Sequence, residues 1–226
     1  MTVLLFDIDG TLVSTGGAGR LAYERAFAAE FGPDHGLLDF SFSGMTDPLL
    51  IRRGLEAAER EVTPEAVEEM IERYLEHLPS TIEEASEYVV HPGASSLVAE
   101  MAGESGYAVG LGTGNVESGA RLKLEPAGLN DHFGFGGFGS DAEDRAELLH
   151  VGACRGAHRL GRSVEVCRVV VIGDTERDID AAREIGAETV AVDTGTTDSN
   201  TIRRAGPDLF VDDLRSRQLH RFLLGD

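Results

Sequence analysis

The sequence predicts an α/β fold: an open parallel sheet whose first strand is followed by an all-helical insert. Three observations carry that expectation. Short apolar runs recur along the chain, each followed by turn residues, and they are near-continuous, as strands covered on both faces of a sheet must be. Helical patterns separate most of these runs, and strand–helix alternation builds parallel sheets. Residues 15–91 carry no convincing strand pattern.

Val3–Phe6 is the first predicted strand, and the insert follows it. Gly19–Phe31 reads as a helix. Asp47-Pro48 places a capping carboxylate ahead of a proline at the first helical position, and Thr63-Pro64 repeats the signal. In the helix after Thr63, Val67, Met70, Ile71, Tyr74, Leu75 and Leu78 share one face, a stripe built for packing. The alternation then resumes with helix Ala94–Glu104, strand Tyr107–Leu111 and helices Glu117–Ala127 and Ala146–Leu160. Strand Val169–Ile172, helix Asp178–Ile185 and strands Thr189–Val192 and Leu209–Val211 complete it. The expected organisation is a Rossmann-like core of residues 1–14 and 92–226 with a helical cap of residues 15–91. Glycines in "STGGAG" and "HPGA" mark the two joints, where they can absorb a backbone rotation.

The 226 residues, 42% of them hydrophobic, suffice for a sizeable core. Net charge is −20, from 40 acidic against 20 basic residues, and Lys123 is the sole lysine. Such a surface suits neither nucleic acid nor an anionic membrane. Arginine in place of lysine fits a GC-rich genome, and together with the acidic excess it also fits salt adaptation. No apolar run reaches transmembrane length. The N-terminus lacks the basic start, apolar stretch and cleavage site of a signal peptide. Cys154 and Cys167 form no CxxC motif, so two free thiols in a cytoplasmic protein are expected.

The chemistry gathers where predicted strands end. The stretch "LLFDIDGTLV" runs a buried strand into Asp7 and Asp9. Residues i and i+2 of an extended chain point the same way, roughly 6.6 Å apart, so both carboxylates can face one crevice while Ile8 turns inward. In open α/β sheets ligands bind beyond the carboxyl ends of the strands. Val169–Ile172 runs into "GDTERDID", placing Asp174 at its tip and Asp178 four residues on. Tyr107–Leu111 runs into "GTGN", placing Thr113, Gly114 and Asn115 at its tip. Carboxylates converging in one crevice repel unless a cation sits between them. An all-oxygen, carboxylate-rich site suits Mg2+, and hydroxyl, amide and Gly-rich backbone N–H groups suit an anion such as phosphate.

"DIDGTL", "GTGN" and "GDTERD", in this order and spacing, resemble the haloacid dehalogenase superfamily from Val3 to about Val211. The helical insert resembles that superfamily's smaller cap type, of the phosphoglycolate phosphatase-like kind. The resemblance implies a Mg2+-dependent phosphohydrolase acting on a small phosphorylated metabolite. It makes Asp7 the nucleophile, forming an aspartyl-phosphate, and Asp9 the general acid and then base. It has Mg2+ held by the Asp7 carboxylate, the Asp9 backbone carbonyl and Asp174, with Asp178 supporting the metal or its waters. Thr113, Asn115 and the Gly114 amide bind the phosphoryl group. The family also wants a cation upstream of the last acidic motif, usually in a Lys-Pro-x-Pro-Asp setting. Here "EDRAELL" offers Arg145, whose planar guanidinium binds phosphate oxygens in pairs, and Lys123 is the rival. A phosphomutase of the β-phosphoglucomutase type shares every core motif. A 2-haloacid dehalogenase, as the resemblance has it, lacks an acid at the position of Asp9, and a signalling domain that keeps its phosphoaspartate has no use for a base there.

Other features read as structural. "GFGGFG" at 134–139 contains G-x-G-x-x-G, but it follows no clean strand and precedes the acidic "SDAED", so it is a short Gly-rich strand or loop. Asp47 reads as a helix cap. Arg20, Arg52 and Arg53 read as exposed arginines on helix faces.

Overall fold

The computed structural model describes residues 1–33 and 36–225. Strand β1 (Thr2–Phe6) is buried along its whole length. Its side chains divide between two cores: Leu4 and Phe6 enter one apolar cluster and Val3 and Leu5 another. That division is the period-two geometry of a strand covered on both faces. Next come β2 (Val13–Thr15), three helices α1 (Ala18–Phe31), α2 (Asp47–Ala57) and α3 (Pro64–Glu84), and β3 (Tyr88–Val90). The remainder alternates: α4 (Ala94–Gly103), β4 (Tyr107–Thr113), α5 (Glu117–Leu124), β5 (Gly136–Phe138) and α6 (Arg145–Arg159). It closes with β6 (Arg168–Gly173), α7 (Glu176–Glu184), β7 (Glu188–Val192), α8 (Ser199–Ala205), β8 (Leu209–Val211) and α9 (Arg217–Leu224).

Six strands form one parallel sheet in the order β5-β4-β1-β6-β7-β8. β1 lies at the centre, and the chain winds outward from it in both directions, so its carboxyl end is a topological switch point. Register aligns Phe6 with Leu111 on one side and Ile172 on the other. The residues just beyond those positions therefore meet at one edge of the sheet. α4 and α9 pack on the Leu4 and Phe6 face, and α6 and α7 on the Val3 and Leu5 face.

Helices α1–α3 close a separate apolar cluster. The predicted stripe forms its α3 wall: Met70, Tyr74 and Leu78 are buried, and Val67, Ile71 and Leu75 pack against them. Tyr23 of α1 stacks flat on Tyr74, with ring centroids 3.9 Å apart. Thr63 caps α3 by accepting from the Ala66 N–H, as its Thr-Pro signal predicts.

The structure differs from the sequence reading in four places. β3 lies inside a segment expected to be wholly helical. It pairs antiparallel with β2, matching Val13 to Val90 and Thr15 to Tyr88. Its three residues are half-buried to exposed, too short and too wet to show alternation. The ribbon ties together the two chain crossings, and the Ser14 hydroxyl reaches the His91 ring across it at 2.9 Å. Second, the cap of α2 is Thr46, one residue earlier than expected, and Asp47 is the first helical residue. Third, α7 begins at Glu176 because Thr175 and Asp178 form a reciprocal capping box, so Asp178 sits inside the first turn. Fourth, the short helices α8 and α9 lie where the sequence pattern predicts no element. "GFGGFG" does contain a short strand, β5, at the sheet edge beside β4.

Candidate active site

Asp7, Asp9, Thr113, Gly114, Asn115, Arg145 and Asp174 all line one cavity of about 490 Å3 at the carboxyl end of the sheet. Helices and loops of the insert supply the opposite wall, including Tyr23, Phe42, Met45, Asp47 and Leu50. Asp7 leaves β1 with its backbone N–H donating to the Ile172 carbonyl at 2.9 Å, which sets it against β6. Asp174 follows β6 and accepts from the Thr11 hydroxyl at 3.3 Å. Gly10 turns the chain with φ +82°. A Cβ at Gly10, or at Gly195, would strike the Asp174 carboxylate, so two glycines leave room for that group.

Asp7, Asp174 and Asp178 are all buried, and one oxygen from each lies within 4.8 Å of the others. Arg145, the first residue of α6, is the compensating cation. Its Nη2 lies 3.1 Å from Asp7 Oδ2. Its Nε and Nη2 both donate to Asp178 Oδ1, at 2.9 and 2.5 Å. Asp178 Oδ2 accepts from the Thr175 N–H and hydroxyl, at 3.0 and 2.7 Å. Both Asp178 oxygens thus accept from protein donors, one of them from the guanidinium that also faces Asp7.

One guanidinium does not balance three buried carboxylates. The Asp7 carboxyl is pushed up to about 6, chiefly by burial, with Arg145 opposing and Asp178 and Asp9 adding to it. Asp174 is raised well above the ordinary range by burial, then by Asp178 and Asp7. A buried, oxygen-only donor set short of positive charge fits a hard divalent cation. The cluster can hold a metal, with Asp7, Asp174 and Asp178 each able to offer an oxygen.

This yields an expected pH dependence. Without a cation, folded Asp7 keeps its proton up to about 6, whereas the unfolded carboxyl releases it near 3.8. Stability of the cation-free protein therefore falls as pH rises through that window. A divalent cation binds the ionised form. The rise in melting temperature produced by Mg2+ should grow between about pH 5 and pH 7. An increment of the same size throughout would separate Asp7 from cation binding.

On the other side of the cavity Asp9 is half-exposed, with 44% of its side chain open. Its Oδ2 accepts from Lys123 Nζ at 2.7 Å and from Asn115 Nδ2 at 2.9 Å. Lys123 Nζ also donates to Asn115 Oδ1 at 2.6 Å. Burial opposes charge on Lys123, but Asp9 and Asp47 outweigh it and hold the ammonium above its ordinary value. Asn115 Nδ2 donates in addition to Thr113 Oγ1 at 2.8 Å. The two candidate cations thus divide the site: Arg145 stands beside Asp7, and Lys123 beside Asp9.

Asp47 was read as a cap. Its Oδ2 instead accepts the Val116 N–H at 2.8 Å, reaching from the insert to the end of the "GTGN" turn. Only a long-range contact reveals this. Lys123 did carry a signal, as the single lysine in an arginine-rich chain. Arg20 lines the cavity, but its guanidinium donates to the Leu38 and Phe40 carbonyls and covers the Phe42 ring. Arg52 pairs with Glu143 at 3.0 Å, joining α2 to the segment before α6. Arg53 lies 6.0 Å from the Phe40 ring centroid.

Residues 1–186 match the family model for haloacid dehalogenase-like hydrolases, and the chain belongs to that family of enzymes. It is 26% identical over 201 residues to a phosphoglycolate phosphatase from Mesorhizobium japonicum, covering 87% of this chain and 84% of the relative. Among solved structures it resembles a β-phosphoglucomutase from Clostridium difficile, with TM-score 0.71 and 19% identity over 98% of this chain and 95% of that one. A hydrolase from Pseudomonas syringae gives TM-score 0.67 and 21% identity, over 99% and 97% of the two chains. These structural likenesses support the α/β fold. Among the described residues no helix is long and apolar enough to cross a membrane.

Proposed function

We propose that the protein is a Mg2+-dependent phosphatase that cleaves a small phosphomonoester through an aspartyl-phosphate on Asp7. The observation that carries this reading is the division of the site. A buried carboxylate stands beside a guanidinium at the sheet edge, and a half-exposed carboxylate faces the same cavity. Asp7 Oδ attacks phosphorus while the bond to the ester oxygen breaks. Asp9 gives the departing oxygen its proton. Asp9 then takes a proton from water, which attacks the phosphorus, releases phosphate and restores the Asp7 carboxylate. Arg145 offsets charge on the phosphoryl oxygens, and Thr113, Gly114 and Asn115 hold the group in line. Lys123 belongs to the Asp9 side. The Asp7 and Asp174 carboxylates and the Asp9 backbone carbonyl would hold Mg2+, with Asp178, which also pairs with Arg145, supporting the metal or its waters. Mg2+ supplies electrostatic stabilisation of the phosphoryl oxygens.

We also read residues 15–91 as a cap that carries specificity over a core, 1–14 and 92–226, that carries the chemistry. The cavity wall made by Tyr23, Phe42, Met45 and Leu50 would contact the leaving group. Small phosphorylated metabolites are the expected partners, in the cytoplasm. The M. japonicum relative's name makes phosphoglycolate the first substrate to try.

The test is phosphate release from a panel of phosphorylated metabolites with Mg2+ and with excess chelator. Catalytic release that needs the cation supports the reading. An isomerised sugar phosphate without net release would make the protein a mutase, and retained phosphate would make it a signalling domain. Asp9→Asn should cut kcat/KM for alkyl phosphates far more than for nitrophenyl phosphate, whose leaving group needs little protonation. Equal losses on both would remove Asp9 from the proton-transfer role.

A further inference from the structure

The turn from Thr113 to Val116 joins β4 to α5, and three hydrogen bonds to its backbone groups anchor it, two with backbone partners and one with a side chain. The Asn115 carbonyl accepts from the Gly139 N–H at 2.8 Å. The Gly114 carbonyl accepts from the Asp47 N–H at 2.8 Å. The Val116 N–H donates to Asp47 Oδ2, also at 2.8 Å. Two of the three anchors are one residue, 6% exposed, on the first turn of an insert helix. The approach is close: a Cβ at Gly114 would strike the Met45 carbonyl and Thr46. Thr46 itself donates to the Glu143 carbonyl at 2.9 Å, fixing the same segment from behind.

These anchors determine where the turn's donors point. A peptide is planar and trans, so its C=O and N–H face opposite ways. Drawing the Gly114 carbonyl toward Asp47 sends the Asn115 N–H away from it, to Thr113 Oγ1 at 3.3 Å. That hydroxyl also accepts from Asn115 Nδ2 at 2.8 Å. With two donors aimed at its lone pairs, the Thr113 hydroxyl proton is left free to donate to a ligand in the cavity it lines.

We propose that Asp47 is a positioning residue for this turn, so that seating the insert and binding phosphate are one coupled event. The proposal rests on the reading that Thr113–Asn115 bind the phosphoryl group. Coupling is reciprocal, so phosphate must favour the seated insert as much as seating favours phosphate.

Inorganic phosphate is the probe, added to the full-length protein with Mg2+. Two readouts are taken: the phosphate-induced rise in melting temperature, and the inhibition constant of phosphate against nitrophenyl phosphate hydrolysis. Asp47→Ala should weaken phosphate by about tenfold or more, the scale of one lost hydrogen bond to a charged group. Asp47→Asn keeps an oxygen for the Val116 N–H and should stay within about threefold of the parent. Val116→Pro approaches the same bond from the other side and serves if Asp47→Ala does not fold. Val116 has φ −62°, which proline adopts, and the substitution deletes the N–H that Asp47 accepts while also replacing a buried side chain. It should reproduce the loss. A lower melting temperature with unchanged phosphate affinity in Asp47→Ala would overturn the proposal, as would equal losses in Asp47→Ala and Asp47→Asn. Thr113→Ala separates the two readings. If it too leaves phosphate affinity unchanged, the turn does not bind phosphate at all. If it weakens phosphate while Asp47→Ala does not, only the coupling fails.

Discussion

Asp7→Asn should abolish turnover, with kcat down by about 10^4-fold or more, as when a covalent nucleophile is lost. The amide has nearly the carboxylate's shape, so binding geometry survives, but its oxygen cannot form an acyl phosphate. The same change should leave the melting temperature of the cation-free protein equal or higher. It removes one of three buried carboxylates that share a single guanidinium, and burial already disfavours charge at that position. Loss of activity with retained or improved stability is a pattern that a merely structural aspartate does not give. Near-normal phosphate release from Asp7→Asn would end the covalent mechanism.

Arg145→Met should be the most destabilising single substitution at the site. Removing one partner of a buried charge pair typically costs about 3–5 kcal/mol. At this chain length that lowers the melting temperature by roughly 6–20 °C. Asp178 would lose the donor on one oxygen, and Asp7 its nearest cation. Mg2+ should restore part of the stability, because it brings positive charge to the same carboxylates. Activity should stay low even then, since phosphoryl oxygens lose the guanidinium. Arg145→Lys should recover stability better than activity, a point charge being unable to reproduce the planar two-point contact. A melting temperature unchanged in Arg145→Met would mean that these carboxylates balance one another by protonation alone.

Much of the core was legible because its signals are local. Val3–Phe6 and Val169–Ile172 are continuous apolar runs, the pattern of a strand buried on both faces. Asp7, Thr113 and Asp174 stand just beyond or at the end of such runs, so placing the strands placed the residues. The α3 stripe was legible through its period, and Arg145 through its place at a helix start. The Thr175–Asp178 capping box is written in the sequence too, as Thr-x-x-Asp, where an acid at a helix start reads equally as a site group and as a charge on the helix terminus. What stayed hidden depends on pairs far apart in the chain. Asp47 meets Val116, and Lys123 meets Asp9, across 69 and 114 residues. No pattern within a helix says which loop its first turn will touch. The β2–β3 ribbon was hidden for another reason: three residues a side give no alternation to count.

The sole lysine has a consequence for how the protein meets reagents. Lys123 is 6% exposed, with its Nζ held between Asp9 and Asn115. The native surface therefore offers no lysine ammonium to acylating agents, amine cross-linkers or lysine-specific proteases. Reagents of that kind, which on most proteins read the outside, can touch this side chain only when the wall of the catalytic crevice comes apart. A ligand that keeps the crevice closed protects it, and modification mapped to Lys123, apart from the exposed N-terminal amine, becomes a probe of the site's opening.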